Sequence, residues 1–88
     1  MSYVCVVGGA NVDIEGRVLK TLLPGDSNPG TVNRSPGGVG RNIAENLAYL
    51  DVPTHLITAL GRDDNGMWLH DLTAASGVEL ADSVWSDL

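Results

Sequence analysis

Apolar and polar positions change period several times along this chain, and each change marks a predicted element. Residues 3–7 form a nearly continuous apolar run, as expected for a short strand covered on both faces, and the run stops at Gly8-Gly9. Residues 11–18 then alternate polar and apolar, the pattern of a half-exposed strand. Residues 23–36 are rich in Pro, Gly, Ser and Asn around a brief strand-like piece at 31–34, which predicts a loop and a short hairpin arm outside the main sheet. From Val39 the period becomes helical. Val39, Ile43, Leu47 and Leu50, with Ala44 and Ala48 beside them, make one apolar face, while Asn42 and Asn46 share another where burial is not their purpose. Residues 55–60 read as a second buried parallel strand. Asp63-Asp64-Asn65 offers an N-cap, Trp68, Leu72 and Ala75 an apolar stripe, and Gly77 a stop for a second helix. Residues 78–88 alternate only weakly, and the chain carries neither an internal repeat nor a low-complexity segment.

Strands alternating with helices predict an α/β layer around a parallel sheet, in which ligands sit beyond the carboxyl ends of the strands. The polar groups that stand out collect at that edge. Asn11 and Asp13 follow the first strand, Gly37 to Asn42 lead into the first helix, and Gly61, Asp63 and Gly66 follow the second buried strand. Three segments distant in sequence are thus expected to converge on one rim.

Composition narrows the partners. A chain of 88 residues is at most one small domain, burying about 60% of its unfolded surface. The hydrophobic fraction of 43% is that of a globular chain. No apolar run approaches the roughly 20 residues of a membrane span, and the N-terminus carries no secretory pattern. Cys5 is the single cysteine, so no internal disulfide forms; a buried strand thiol and a cytoplasmic location are the expectations. The formal net charge of -6 rests on only five scattered basic residues, which argues against nucleic acid and anionic membrane as partners. A neutral sugar or polyol remains compatible.

Several motifs fail. Gly8-Gly9-Ala10-Asn11 lacks the G-x-G-x-x-G spacing and leads into a polar strand, not a helix, so dinucleotide binding is a poor reading. The run from Gly25 to Thr31 begins like a Walker A loop, but no lysine follows Gly30 to reach a phosphate. His55 and His70 stand apart from any second ligand at metal spacing, so no metal site is expected. Two features hold. Asn11 and Asp13 are two apart, so in an extended strand both project to one face, where an amide and a carboxylate can grip the vicinal hydroxyls of a sugar; spacing alone leaves a pair of solvated strand residues equally open. The glycine-dense loop before the first helix lets the backbone approach a ligand and leaves first-turn amides free to donate, although a tight turn with nothing bound uses the same residues.

The run from Pro36 to Leu47, PGGVGRNIAENL, resembles the first signature of the PfkB family of sugar and nucleoside kinases, which includes the ribokinases. Gly37, Gly38, Gly40, Asn42, Ala44 and Gly61 fall in register with it. One position departs, since Asp51 stands where the family places Gly or Ser after the helix; Asp tolerates the left-handed conformation of a helix end less well than Gly but better than most residues. The resemblance covers roughly residues 3–80. Residues 26–30, with the continuous run from Gly37 to Ala44, look most like the pseudouridine kinases of that family.

By this resemblance the fold is α/β and ribokinase-like, a partial parallel sheet with flanking helices and a small β lid whose strands lie near residues 12–18 and 31–35. Asn11 and Asp13 would contact the sugar, Gly38 and Val39 would offer backbone contacts, and Asn42 a side-chain hydrogen bond. Gly37 and Gly38 would also act as the lid hinge. The turn from Gly61 to Gly66 looks like the family's structural G-x-D-x-x-G. Arg41 stands where it could touch a ligand, although a solvated helix-start arginine is the commoner case. The family transfers the γ-phosphoryl of ATP, with Mg2+, to a sugar hydroxyl, using a Gly-Ala-Gly-Asp turn whose Asp is the base. No such run occurs here. Residues 1–88 are therefore expected to be the N-terminal, substrate-binding part of a kinase about three times as long, with no catalytic residue of its own and no ATP or Mg2+ bound by this chain alone. A non-catalytic sugar-binding or dimerisation module is the alternative. A homodimer through the lid strands or an open sheet edge is expected in either case, because residues 4–7 and 56–60 would lack neighbours.

Overall fold

The two short apolar runs lie side by side. The computed structural model describes residues 2–87. Strand β1 (Val4–Val7) pairs in parallel with β4 (Thr54–Ile57), Val4 opposite Thr54 and Val7 opposite Ile57. The 55–60 run is not one strand. It breaks at Thr58, and β5 (Ala59–Gly61) pairs in parallel with β6 (Val84–Ser86), a strand that the weak alternation of residues 78–88 concealed. The break is bridged by Ser83, whose hydroxyl donates to the Leu56 carbonyl at 2.7 Å and accepts from the Thr58 amide at 3.0 Å. Glu79 completes the layer with a parallel bridge to His55, its carbonyl accepting from the Leu56 amide at 2.9 Å.

Between the first two parallel strands the chain leaves the sheet as a hairpin arm. Strands β2 (Asn11–Val18) and β3 (Gly30–Gly37) pair antiparallel over their whole length, longer than the pattern predicted for the second strand. The arm is exposed on both faces except near its base; Ile14 and Val32 are 65% and 75% exposed. Its projection accounts for the extents of 57 × 30 × 18 Å and a radius of gyration of 16.3 Å, against about 12 Å for a compact chain of this length. Arg34 on β3 ties the arm to the second helix: its guanidinium lies 4.2 Å over the Trp68 ring and donates to Asn65 Oδ1 at 3.0 Å.

Helix α1 (Val39–Tyr49) follows directly, and α2 (Asp64–Ala75) follows β5. Asp63 caps α2 as expected, accepting from the Gly66 amide at 2.7 Å. Gly77, at φ 102, reverses the chain after α2. Asp51 takes φ 60 after α1, the only described residue other than glycine with positive φ, as the departure from Gly or Ser at that place requires.

Both helices turn a different face inward from the one their large residues suggest. In α1 the buried residues are Gly40, Arg41 and Ala44, while Val39, Ile43 and Leu50 are 77%, 48% and 73% exposed. Gly40 lies against the backbone of Gly8 and Gly9, which leaves no room there for a larger side chain, while the buried Arg41 reaches across to α2. In α2 the buried positions are Gly66, Leu69 and Thr73, one step from the Trp68, Leu72, Ala75 stripe. The core between α1 and the sheet consists of Ala44, Leu56, Val78 and Leu80, with Val6 and Ala48 half-buried against it. Strand β1 is not covered on both faces: Val7 is 75% exposed and Cys5 is exposed as well. By contrast, Leu56 and Leu60 are buried, so only the first of the two runs lacks cover. No helix among the described residues is long and apolar enough to cross a membrane.

Uncovered apolar surface of this extent favours association. The 88-residue polypeptide in isolation is expected to sediment as dimers or larger species at micromolar concentration and to melt at a concentration-dependent temperature. A compact monomer with a sharp melt independent of concentration would contradict this.

Candidate functional site

Pairing register decides what meets at the base of the arm. Asn11, the first residue of β2, sits opposite Gly37, the last of β3, and Asp13 sits opposite Ser35. The strand period puts the Asn11 and Asp13 side chains on one face, and they touch: Asn11 Nδ2 donates to Asp13 Oδ1 at 2.8 Å. Both lie over the α-carbon of Gly37. A β-carbon there would stand 3.0 Å from Asn11 Nδ2 and would overlap Asp13 Oδ2. Gly37 is thus the floor of a small polar cradle, open above because Asn11 and Asp13 are exposed.

The cradle opens beside the N-terminus of α1. Gly38 is the helix N-cap, at φ 97 and ψ 136, and no side chain caps the first turn. Any β-carbon on Gly38 would fall 2.8 Å from the α-carbon of Ala10, so strain and space both reserve this position for glycine. Two residues on, Gly40 packs on Gly8, where a β-carbon would lie 2.8 Å from backbone. The Arg41 amide donates to the Gly9 carbonyl at 3.0 Å, so the turn between β1 and β2 takes one of the four first-turn donors. The Asn42 amide turns back to the Gly38 carbonyl at 2.9 Å, and the Asn42 side chain is exposed. Val39 is exposed too.

The residues singled out from the sequence are therefore arranged as follows. Asn11, Asp13 and Gly37 touch one another, Gly38 packs against the turn that leads into Asn11, and Val39 and Asn42 lie in the first turn of the helix that Gly38 caps. The third expected segment is divided. Asp63 spends its carboxylate on the α2 cap, and Gly66 packs on the Gly61 carbonyl, so this turn serves structure. Asn65 nonetheless reaches the arm through Arg34.

Arg41 corrects the sequence reading outright. It is 1% exposed, not solvated, and its guanidinium meets three partners: Nε donates to Thr73 Oγ1 at 2.9 Å, Nη1 to Asn42 Oδ1 at 3.4 Å, and Nη2 to Glu45. The Arg41–Glu45 spacing of four was a signal on α1 itself, but Thr73 lies 32 positions away on α2 and left no trace in the pattern. A shallow cleft of about 390 Å³ runs past this network, lined by Pro36, Glu45, Tyr49 and Leu72 among others.

Known proteins resemble the chain closely. It matches the family described as pfkB family carbohydrate kinase over residues 1–87. It is 47% identical over 76 residues to a pseudouridine kinase of Escherichia coli K12, covering 86% of this chain and 24% of that protein. A carbohydrate kinase from Agrobacterium tumefaciens superposes with a TM-score of 0.90 at 33% identity, covering 100% of this chain and 29% of the other. A fructokinase from Xylella fastidiosa solved with bound ATP superposes at 0.83 and 25% identity, covering 97% of this chain and 26% of its own. The chain thus spans about a quarter of the length of the relatives it matches.

Gly37→Ala tests the cradle directly. The added methyl meets the far ends of the exposed Asp13 and Asn11 side chains, which swing away at little cost to the fold. The melting temperature is therefore expected to change little, while the Asn11 side-chain amide loses its bond to Asp13 and shifts its NMR resonance. An unchanged Asn11 amide resonance would mean that Asp13 does not rest on this α-carbon.

Proposed function

Because the chain belongs to the pfkB family of carbohydrate kinases, we propose that its residues form the substrate-binding part of an ATP-dependent kinase that phosphorylates a hydroxyl of a sugar or nucleoside. The observation that carries this reading is the contact of Asn11 and Asp13 with each other and with the bare α-carbon of Gly37, beside an uncapped helix N-terminus. A carboxylate accepts from two neighbouring hydroxyls at once. Asn11, with one N–H given to Asp13, keeps a carbonyl oxygen and a second N–H for a vicinal diol. Asn42 adds a side-chain contact from the helix side, and Gly38 and Val39 add backbone contacts. The likeness to a pseudouridine kinase favours a nucleoside with its ribose held in this cradle.

In the same reading the β2–β3 arm is a lid over the sugar, and Gly37-Gly38 is its hinge. ATP and Mg2+ belong to the complete enzyme. Arg41 pairs with Glu45, Arg17 with Glu15 and Arg62 with Asp87, Arg34 lies on Trp68, and Lys20 stands exposed on the loop between the arm strands, a dispersal of cations that supports placing the triphosphate elsewhere in the complete enzyme. Exposed Val7 on β1 and exposed Ile14 and Val32 on the arm support a homodimer through the sheet edge or lid. The same exposure is what favours the second reading, a non-catalytic sugar-binding or dimerisation module.

Titration of the longest natural form of the protein with pseudouridine, ribose and fructose, together with sugar-dependent ADP release from ATP, separates the two, since a non-catalytic sugar-binding module binds one of them without turnover. A pure interaction module binds none of them. Asp13→Ala is expected to weaken the tightest of the three by about ten- to a hundredfold, the loss of a charge-assisted hydrogen bond of about 1.5–3 kcal/mol. Asn42→Ala should cost less because its bonds are neutral. Calorimetric affinity and kcat/KM unchanged in Asp13→Ala would refute the site. The 88-residue chain by itself is expected to show no sugar-dependent release of ADP from labelled ATP, and turnover by it alone would refute the division of labour proposed here.

A further inference from the structure

Arg41 is the largest side chain buried to the extent of 1% exposure, and it is charged. A guanidinium taken out of water is costly unless its donors are met, and here Thr73, Asn42 and Glu45 meet them on three sides. Burial by itself accounts for the Glu45 and Thr73 contacts, which close the charge and join α1 to α2. The contact with Asn42 has another consequence. Guanidinium carries donors only, so the Asn42 atom facing Nη1 is the side-chain oxygen. The amide nitrogen of Asn42 is then turned away from Arg41, with its N–H groups presented to solvent, where Asn42 is exposed.

Resting on the sugar-binding reading above, we infer that Arg41 is a positioning residue for substrate: held by Thr73 and Glu45, it fixes the side-chain amide of Asn42 so that it donates to a hydroxyl oxygen of the sugar. The site is then divided by polarity. Asp13 accepts from hydroxyls, Asn42 donates to one, and a diol satisfies both at once. The Arg41 amide, which holds the Gly9 carbonyl at 3.0 Å, keeps the turn before Asn11 at a fixed distance from the same residue. Lysine in this place would retain the charge but not the planar fork that reaches three acceptors.

A double-mutant cycle on affinity tests this, because a residue that only stabilises the fold gives effects independent of Asn42. The probe is whichever of pseudouridine, ribose and fructose the complete protein binds most tightly. Arg41→Lys is expected to weaken it about tenfold, and Thr73→Val, which releases Nε, about two- to tenfold. In an Asn42→Ala background both costs should vanish, while in an Asp13→Ala background both should persist. Equal costs with and without Asn42 overturn the inference and leave the sugar site standing. Should Arg41→Lys fail to fold, the Thr73→Val cycle decides by the same criterion. An Asn42→Ala protein with unchanged affinity removes the site assignment itself, and the inference with it.

Discussion

Backbone meets backbone where the start of α1 lies on the turn after β1, and most of the remaining geometry depends on this approach. Gly40 lies on Gly8 and Gly9 at a distance that excludes a β-carbon, and the Arg41 amide is bonded to Gly9. With backbone against backbone, the helix axis is fixed relative to the first strand, and the faces that turn inward are the small ones. Ala44 and Ala48 therefore pack on Leu56 and Val6, and the larger stripe of Val39, Ile43 and Leu50 is left outside. The same approach sets the direction of Gly38 and hence where β3 ends. Asn11 and Asp13 then meet Gly37 because β2 starts from the other side of that turn.

Helix α2 supplies none of the residues of the cradle, yet it anchors both structures that flank it. Thr73 receives Arg41 from α1, while Asn65 and Trp68 receive Arg34 from the arm. These two arginines do at long range what apolar packing does within the core. The choice has a physical reason. Each link spans a gap between elements distant in sequence, and a long side chain with several donors reaches across such a gap where a Leu or Val does not. The two links differ in kind. Arg41 is buried and its partners leave it no alternative, whereas Arg34 stacks at an exposed surface where a cation over an aromatic ring is worth about 0.5–1 kcal/mol. The arm is accordingly tethered to the body by the weaker of the two.

Much of this was legible in the amino-acid sequence, and for local reasons. The hairpin arm, the two helices, the Asp63 cap, the Gly77 stop and the strained Asp51 follow from period and from the conformational demands of single residues, which act within a few positions. The family likeness also lay in a short run, the glycines and Asn42 at the start of α1, and the comparison with known carbohydrate kinases upholds it. Asn11 and Asp13 were expected to share a face because a strand has a period of two, and they do.

Tertiary structure decided the rest. Which face of α1 turns inward was set by contact with backbone at Gly8, not by the size of its apolar residues, so a count of hydrophobic positions selected the wrong stripe. The break of the 55–60 run at Thr58 depends on Ser83 and on pairing with β6, some 25 positions away, and nothing within the run announces it. Arg41 is the plainest case. At a helix start an arginine is solvated unless another element arrives to bury it, and that element is α2, whose Thr73 carries no mark of its task in the sequence. Period and residue type act over a few neighbouring positions; burial and charge pairing act over whatever distance the chain folds back.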